Sequence, residues 1–489
     1  MPRTASLPIF LERRGSRTLQ QHIYDSIRQC ILDGRAGADR RLPSTRALAA
    51  DLGVSRNTTL LALEQLRAEG YVVARPGSGM FIARELPAAT PPAPTSMSEP
   101  QTPPPFSRRG LLMAGVVPPD RRGTGVGARA FRLGTPALDL FPHRLWAQTV
   151  RECLRLKHRA SLDYSPLAGL PRLREAIAEQ VQSRGTRCEP EQVQVIAGAQ
   201  RGLDLIARML LDPGDGALLE EPAYTGARAA LLAAGASIRP VPVDEQGLMI
   251  EREGVRDARL VYVTPSCQFP LGVALSLDRR RALLEWARAS RAWIIEDDYD
   301  CDLRHDRQPL PCLHAMDPDG RVIYLGTFSK TMFPALRLGF LIVPKDLQAG
   351  FLSARLATDL HAPVLEQSVL ALFMQRGHYD RHLRRMQAVY SERLDALRRA
   401  VSRSGAPLHV RPVKAGMHAV VDVDAVNAER VHIEAMARGI ESMPLSAYYS
   451  AAERAPNALL LGFGAVAPAA IRAGVNGLAR VIEQKRRET

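Results

Sequence analysis

The sequence predicts an α/β protein in which a small N-terminal domain and a large C-terminal domain are joined by a linker. Three observations support this organisation. The chain has 489 residues, more than one ordinary hydrophobic core accommodates. Eight prolines crowd the stretch between residues 87 and 105, and proline favours extended over packed structure. Further along, apolar runs alternate with amphipathic helical patterns, which indicates strands and helices around a mainly parallel sheet. We therefore predict domains at residues 1–84 and 129–489 and a linker at 85–128.

Composition and charge narrow the class of protein. Hydrophobic residues make up 46% and charged residues 24% of the chain, which is typical of a soluble globular protein. No apolar run approaches the roughly 18 residues that span a membrane, so we expect a cytoplasmic protein without membrane contact. The six cysteines form no C-x-x-C pair, which argues against a disulfide framework and against a metal site. The net charge of +14 indicates a polyanionic partner.

The N-terminal domain carries the spacing of a helix-turn-helix. Residues 20–32 have apolar side chains at helical intervals. Ser44 is a candidate N-cap for a short helix over residues 46–52, and Ser55 is a candidate N-cap for a helix over residues 56–68. Gly53 supplies the turn between these two helices.

A hairpin follows the helix-turn-helix. Residues 70–74 and 80–83 alternate as two short strands around a glycine-rich tip at 75–79. We interpret this hairpin as a wing, which completes a winged helix-turn-helix.

The winged helix is predicted to bind double-stranded DNA at an operator. Residues 1–84 hold thirteen arginines against seven acidic residues, a difference of +6, and hydroxyl and guanidinium groups crowd the start of the second helix of the motif. A capped helix face that meets only solvent is the alternative. The predicted DNA contacts are Arg46, Ser55, Arg56, Asn57, Thr58, Thr59 and Gly79.

In the large domain, the predicted strands point to one ligand-binding edge. Most of these strands end in glycine, proline or a polar loop, and ligands of parallel sheets gather at the carboxyl ends of the strands. The predicted strands cover residues 194–197, 216–219, 259–263, 292–295 and 322–325.

Lys330 stands in the loop after the last of these strands. The chain has five lysines and sixty arginines, so a lysine at this edge suggests chemistry that arginine cannot perform. A guanidinium stays protonated, whereas a lysine amine can form a Schiff base with a carbonyl cofactor such as pyridoxal phosphate (PLP). Lys330 is therefore the candidate attachment site for PLP.

The other groups that PLP needs also follow strands. Asp297 and Tyr299 come after the strand at 292–295, where a carboxylate would hold the pyridine nitrogen protonated and a phenol would hydrogen-bond the ring O3′. The turn at residues 197–202 offers backbone amides to the phosphate, with Thr327 and Arg337 nearby in sequence. Tyr224 supplies a ring that could stack on the pyridine. Each element alone is as easily a turn, a surface charge or a core aromatic; their combination favours a PLP site.

Both domains resemble known families. Residues 1–84 resemble the winged helix of GntR regulators, most specifically over residues 42–83. Residues 130–485, including 164–171, are similar to fold type I aminotransferases. The combination resembles the MocR/GabR family of regulators. The resemblance implies that Lys330 carries PLP, with Asp297, Tyr299 and Tyr224 around the ring. The implied phosphate ligands are Ala199, Gln200, Thr327, Ser329 and Arg337.

The same resemblance implies a head-to-tail homodimer. Tyr164 would reach the phosphate in the neighbouring subunit, since fold type I sites lie at a dimer interface. The proline-rich linker is suited to carrying one winged helix toward the other chain's large domain.

Three positions depart from the family on the side where a substrate would bind. Leu460 stands where aminotransferases usually have an arginine for the substrate carboxylate. Cys267 stands where MocR-like chains usually have histidine, and Gly226 where the γ-aminobutyrate regulator has a second arginine. We therefore expect γ-aminobutyrate not to be the ligand. Arg411 or His418 is the candidate to replace the missing arginine.

Three functions remain open from the sequence. The favoured one is a PLP-dependent transcriptional regulator that senses PLP or a small amino compound through an aldimine at Lys330 and is not an enzyme. The second is an active PLP-dependent aminotransferase with a DNA-binding head. The third is a DNA-binding protein whose large domain is a dimerisation scaffold without cofactor.

Overall fold

The computed structural model describes residues 18–86, 106–114, 130–156, 163–182, 185–186, 188–251, 257–305 and 311–488. The chain divides into two compact units, residues 1–105 and residues 106–489. Within the described ranges, each helix is too short or too polar to cross a membrane. The predicted linker at 85–128 lies largely outside these ranges.

The N-terminal unit contains the predicted helix-turn-helix. Its helices are α1 (Leu19–Leu32), α2 (Thr45–Leu52) and α3 (Arg56–Ala68). The predicted caps are confirmed: Ser44 Oγ accepts a hydrogen bond from the Ala47 amide at 3.2 Å, and Ser55 Oγ accepts one from the Thr58 amide at 3.0 Å. Gly53 ends α2 in the left-handed conformation, with φ +63°, which glycine adopts without steric cost.

The predicted wing is also confirmed. Strands β1 (Val72–Arg75) and β2 (Gly79–Ile82) pair antiparallel. Gly77 and Gly79 have φ values of +71° and +103°, so the tip requires residues without a Cβ. The core beneath the wing joins all three helices through Ile23, Ile27, Leu48, Leu63, Leu66 and Ile82, each no more than 3% exposed.

The large unit is built on an eight-stranded sheet in the order β3-β10-β9-β8-β7-β4-β5-β6. All five predicted strands are present. The strands are β3 (Val193–Ile196), β4 (Gly216–Glu221), β5 (Ser237–Asp244), β6 (Gly247–Leu248), β7 (Ala258–Val263), β8 (Trp293–Asp297), β9 (Val322–Thr327) and β10 (Gly339–Ile342). Strands β9, β8, β7, β4 and β5 run parallel, whereas β10 is antiparallel to both of its neighbours.

Helices cover both faces of this sheet. The helices of the large unit are α4 (Arg108–Ala114), α5 (His143–Leu156), α6 (Pro171–Gln182), α7 (Ala199–Leu210), α8 (Thr225–Ala234), α9 (Leu277–Ala289), α10 (Leu313–Met316), α11 (Gln348–Leu356), α12 (Val364–Gln375), α13 (His378–Ser404), α14 (Ala428–Ala437) and α15 (Pro468–Arg487). Apolar side chains of α7, α8 and α11 form one core, and those of α6, α9 and α12 contribute to cores elsewhere on the sheet. These layers fix the strand ends where the predicted cofactor residues lie.

A second, antiparallel sheet lies in the C-terminal part and was not predicted. Its order is β11-β12-β14-β13, and its strands are β11 (Leu408–Val410), β12 (His418–Val423), β13 (Met443–Pro444) and β14 (Ala458–Gly462). Helices α13 and α15 share a core with it, through Leu397, Val421, Leu461 and Leu478. Two of its strands have only two or three residues, too few for a periodic signal in the sequence.

Part of the predicted linker is helical. Residues 108–114 form α4, which contacts α8. Ser107 Oγ accepts a hydrogen bond from the Gly110 amide at 3.0 Å, and no proline interrupts residues 106–114. A short helix is therefore compatible with this stretch, although the surrounding sequence is rich in proline.

Candidate functional site

Lys330 lies just beyond the carboxyl end of β9. Its Nζ donates a hydrogen bond to the Gly134 carbonyl at 3.1 Å. A Cβ at position 134 would overlap this amine, and Gly134 has φ +66°, so glycine is the residue that lets the lysine lie against the backbone here. The structure thus holds the Lys330 amine at the ligand-binding edge of the sheet.

Asp297 is the last residue of β8, next to β9 in the sheet. It is 5% exposed, and its Oδ2 accepts a hydrogen bond from Tyr262 at 2.7 Å. Its Oδ1 is buried and has no hydrogen-bond partner among the described residues. Burial raises the pKa of this carboxyl to about 7, although the Lys330 charge opposes the shift. A buried carboxylate oxygen is thus left for a protonated donor.

Further buried carboxyls surround Asp297. Glu220 on β4 accepts hydrogen bonds from the Thr264 hydroxyl at 2.8 Å and from Gln268 at 3.3 Å, and burial raises its pKa to about 8. Burial also raises the pKa values of Glu296 and Asp300 to about 7. Together with Asp297, these three residues form an acidic cluster of buried carboxyl groups at the sheet edge.

We expect this acidic cluster to make the cofactor-free protein less stable as the pH rises from about 6.5 to about 8.5. Between about pH 4 and their raised pKa, these carboxyls hold a proton in the folded state that the unfolded chain has already lost, so the free energy of unfolding falls with pH until the groups ionise at about 7 to 8 and then levels off. Buried His418, whose pKa is lowered to about 4, acts in the opposite sense, but only below about pH 6.5. Chemical denaturation across this window measures the effect, and Glu220→Gln should make the decline shallower. A free energy of unfolding that increases with pH here would contradict it.

Tyr299 and Tyr224 lie around the same edge. The Tyr299 hydroxyl is buried beside the Cys267 thiol and has no well-formed hydrogen bond among the described residues. Burial raises the pKa of this phenol well above its ordinary value. Tyr224 immediately precedes α8, and its hydroxyl donates to Gln200 Oε1 at 3.4 Å.

The start of α7 forms a concave anion site with Arg337. Gly198, with φ +88°, precedes α7, and a Cβ there would lie 3.1 Å from the Arg337 guanidinium carbon. The amides of Ala199 and Gln200 are in the first turn of α7, where helix amides have no intrahelical acceptor. Arg337 itself is left-handed, with φ +51°, a conformation that a non-glycine residue adopts at some cost. Helix dipole, amides and guanidinium together favour an anion such as a phosphate.

The loop of Lys330 borders this anion site. The Ser329 amide donates to Thr327 Oγ1 at 3.2 Å, so the loop turns immediately after β9. The structure therefore brings Thr327, Ser329 and Lys330 to the same sheet edge as the start of α7, through the pairing of β10 with both β3 and β9. Tyr164 is 81% exposed, and its ring lies edge-on to His361 at 6.0 Å; its predicted role in a neighbouring subunit stays a prediction.

The two candidates to replace the substrate arginine are both engaged. Arg411 makes a bidentate pair with Asp422, at 2.6 to 3.1 Å. His418 is 6% exposed and bonded to the Pro270 carbonyl at 3.1 Å. Leu460 is fully buried among apolar side chains in β14. The sequence alone does not show that Arg411 contacts Asp422 or that His418 contacts Pro270. Both contacts depend on the folding of the second sheet, because Asp422 and His418 lie in β12.

On the winged helix, most predicted DNA contacts are exposed. Arg46, Arg56 and Asn57 are exposed. Ser55 and Thr58 share a hydrogen bond of 2.7 Å between their hydroxyls, so both help to cap α3. The prediction for Thr59 is wrong: it is 0% exposed, and its hydroxyl donates to the Ser55 carbonyl at 3.4 Å. Thr59 precedes the buried Ala62 and Leu63 by three and four residues, so it lies on the face of α3 that joins the core.

Arg41 is a basic residue at the wing that is not among the predicted DNA contacts. It is exposed, it pairs with Phe81 in a β-bridge, and its guanidinium lies 3.4 Å from the position of a Cβ on Gly79. Arg75, by contrast, is paired with Asp39 and lies over the Phe81 ring. The sequence signal was the basic pair Arg40-Arg41 just before the helix-turn-helix.

Two family descriptions match the chain. Residues 130–454 match the aminotransferase class I and II family, and residues 19–82 match the bacterial regulatory proteins of the gntR family. The two matches together cover the helix-turn-helix, the wing and all the predicted cofactor residues.

Relatives share both parts of the chain. It is 40% identical to the probable rhizopine catabolism regulatory protein MocR of Rhizobium meliloti, over 96% of this chain and 95% of the relative. It is 34% identical to the pyridoxine biosynthesis transcriptional regulator PdxR of Corynebacterium glutamicum, over 94% of this chain and 95% of the relative. The crystal structure of LysN, the α-aminoadipate aminotransferase of Thermus thermophilus complexed with N-(5'-phosphopyridoxyl)-L-leucine, is 29% identical. The likeness covers 74% of this chain and 94% of LysN, with a TM-score of 0.68.

Proposed function

The chain belongs to the MocR-type family of GntR transcriptional regulators with an aminotransferase-like domain, and we propose that it binds PLP at Lys330 and uses that site to set its affinity for a DNA operator. The signal would be PLP itself or a small amine that reaches Lys330. The protein would act in the cytoplasm as a homodimer.

One observation carries the PLP proposal: two buried polar atoms at and just after the carboxyl end of β8 lack partners among the described residues, and β8 is paired with β9, which leads to Lys330. Asp297 Oδ1 and the Tyr299 hydroxyl each lack a well-formed hydrogen bond among the described residues, although burying such atoms unsatisfied is costly. PLP has a pyridinium N–H and a phenolate oxygen that match them. When bound, PLP supplies an aldehyde that an amine can hold and a ring that accepts electrons.

Each residue of the site would contact a different part of PLP. Lys330 would hold PLP covalently through Nζ. Asp297 would keep the pyridine nitrogen protonated, Tyr299 would donate to O3′, and Tyr224 would stack on the ring. The phosphate would be held by Ala199, Gln200, Thr327, Ser329 and Arg337. Tyr164, whose ring is largely exposed, would contribute to the site of a neighbouring copy in a head-to-tail dimer.

The DNA contact would be made by the start of α3 in the major groove, with the wing beside it. The proposed contacts are Arg46, Ser55, Arg56, Asn57, Thr58 and Gly79, together with Arg41. Thr59 is left out because it is buried. Footprinting of the DNA upstream of the gene, with and without PLP, tests the function as a whole; protection that is absent under both conditions would count against it.

Arg56→Ala is expected to weaken operator binding by about 1 to 3 kcal/mol if Arg56 reads a base edge. Binding should be measured on the operator and on unrelated DNA across a salt series. A similar loss on both DNAs, with a shallower salt dependence, would assign Arg56 to a phosphate instead.

Arg67→Ala is the matched control for this substitution. Arg67 is exposed and lies in the last turn of the same helix, so it shares the charge but not the position of Arg56. Its replacement should leave operator affinity within about 0.5 kcal/mol of the original. Equal losses from both substitutions would contradict the placement of the start of α3 on DNA.

An aminotransferase activity is the second candidate function, because the predicted cofactor side is complete. The buried Leu460 and the engaged Arg411 disfavour it, since a substrate carboxylate would lack a bidentate partner at either residue. Keto acid production from a panel of amino acids, at rates typical of enzymes, would support this second function over the first.

A further inference from the structure

We propose that the effector is a primary amine that carries no carboxylate and has an apolar, preferably aromatic, body. Its amine would lie at Lys330 and its body against an aromatic wall centred on Phe269. This inference rests on the proposed function and narrows its ligand class.

The aromatic wall is a cluster of rings around Phe269. The Phe269 ring centroid lies 5.2 Å from Tyr448, 5.4 Å from His418, 5.9 Å from Tyr224 and 6.1 Å from Tyr299. All four pairs have steep, edge-to-face geometry, which is favourable for aromatic rings. Phe269 is itself only partly buried, so part of its ring remains available to a ligand.

This wall lies beside the Lys330 amine. Gly134, whose carbonyl accepts the Lys330 hydrogen bond, follows Leu133, which packs against the same apolar cluster as Phe269. The charge of Lys330 also acts on His418, where it reinforces the effect of burial in lowering the imidazole pKa. His418 is therefore neutral near physiological pH and offers no cation to a carboxylate.

Two of the guanidinium groups near the wall, among the described residues, already have carboxylate partners. Arg411 is held by Asp422, and Arg132, next to Leu133, makes a bidentate pair with Glu441 at 2.8 to 3.2 Å. If either arginine bound a ligand carboxylate, its bidentate pair would break and the carboxylate of Asp422 or Glu441 would lose its guanidinium partner.

An arginine that could bind a ligand carboxylate does not fit at position 226. A Cβ on Gly226 would overlap both Gln200 Oε1 and the Tyr224 ring. The next arginine along α8, Arg228, is paired with Glu221 at 3.1 Å. The first turn of α8 is thus shaped to hold Tyr224 in place and not to bind an anion.

The electrostatic environment also favours an amine without a carboxylate over one with a carboxylate. A ligand carboxylate against Phe269 and Leu133 would lose water without gaining a partner, which is costly. The buried acids Glu220, Asp297 and Asp300 would add repulsion when ionised, whereas a cationic amine would be attracted to them.

The test compares two ligands that differ by one carboxylate. The PLP-loaded full chain is titrated with 2-phenylethylamine and with L-phenylalanine, and binding is followed by the absorbance of the bound cofactor and by calorimetry. We expect 2-phenylethylamine to bind at least about tenfold more tightly, which corresponds to about 1.4 kcal/mol. Equal or tighter binding of L-phenylalanine, or no binding of either ligand, would overturn the proposal. A chain that shows no cofactor absorbance after addition of PLP would instead contradict the proposed function.

Arg304 is the alternative carboxylate anchor, because its charge acts on the Cys267 thiol next to Tyr299. If L-phenylalanine bound tightly and Arg304→Gln abolished that binding, Arg304 would be the partner of the ligand carboxylate. The proposal that the effector lacks a carboxylate would then be wrong. We expect Arg304→Gln to leave the preference for 2-phenylethylamine unchanged.

A substitution in the wall separates the contribution of the ligand body from that of its amine. Phe269→Leu should weaken 2-phenylethylamine about 2- to 12-fold, from the loss of an aromatic contact, and should weaken methylamine less, because methylamine has no body to contact the wall. Phe106→Leu, at a ring that is 61% exposed outside the site, is the control. Equal weakening of both amines by Phe269→Leu would contradict the proposed wall.

Discussion

Replacing Lys330 with alanine is expected to abolish the covalent retention of PLP and every response of DNA binding to PLP or to amines. The other residues near the start of α7 could still hold the phosphate weakly, but dialysis should remove the cofactor, because only an amine can form the Schiff base. The measurement is the visible absorbance of the protein after addition of PLP and dialysis, followed by DNA binding with and without PLP.

Lys345→Ala is the matched control. Lys345 is 64% exposed in its side chain and pairs with Glu189 on the surface, so its loss should change neither absorbance nor DNA binding. If Lys330→Ala retained the cofactor absorbance after dialysis, Lys330 would not be the attachment site. DNA binding without PLP should survive the substitution, which shows that the winged helix is still folded.

Asp297→Asn is expected to have opposite effects on the cofactor-free and the PLP-loaded protein. Without PLP, it removes a buried carboxyl whose pKa is raised to about 7, so the free energy of unfolding near pH 8 should increase. With PLP, it removes the partner of the pyridinium nitrogen, and PLP affinity should fall by about 10- to 100-fold, as a buried charged hydrogen bond is lost. Denaturation and PLP titration at pH 8 measure the two effects.

Asp300→Asn provides a close control for the charge itself. Asp300 is 3% exposed, its pKa is also raised to about 7, and its Oδ1 also lacks a partner among the described residues. Its substitution should share the gain in stability of the cofactor-free protein but not the loss of PLP affinity. If both substitutions lowered PLP affinity equally, the assignment of Asp297 to the pyridine nitrogen would be wrong.

The sequence predicted those parts of the site that depend on local signals. Hydroxyl caps placed the starts of α2 and α3 at Ser44 and Ser55, and apolar runs placed the ends of β8 and β9, which bring Asp297 and Lys330 to one edge. Neighbouring parallel strands end at the same edge of a sheet, so two residues distant in sequence could be expected to lie close together.

Features that depend on contacts distant in sequence could not be predicted. Tyr262 reaches Asp297 because β7 pairs with β8, and Glu220 joins the acidic cluster from β4. The arginine candidate Arg411 was named from its position in the sequence, but its partner Asp422 became visible only in the second sheet. These pairings follow from register, which a short strand does not specify on its own.

The burial of Thr59 shows that residue types alone do not predict which side chains of α3 face DNA. Residues 55–59 all carry polar side chains suited to DNA, but Thr59 lies three, four and seven residues before the buried Ala62, Leu63 and Leu66, so it shares the core-facing side of α3 with them. Its hydroxyl is satisfied by the Ser55 carbonyl, a back-bond common for threonine in helices. Composition alone therefore overestimated the DNA-facing surface by one residue.

Coupling between the cofactor site and the winged helix is tested by operator affinity at fixed salt, measured with and without PLP for the original chain and for Lys330→Ala. We expect PLP to change the affinity of the original chain and to leave that of Lys330→Ala unchanged. The same affinity in all four measurements, for a chain that holds PLP, would show that the cofactor site and the winged helix are not coupled, and would contradict the regulator proposed here.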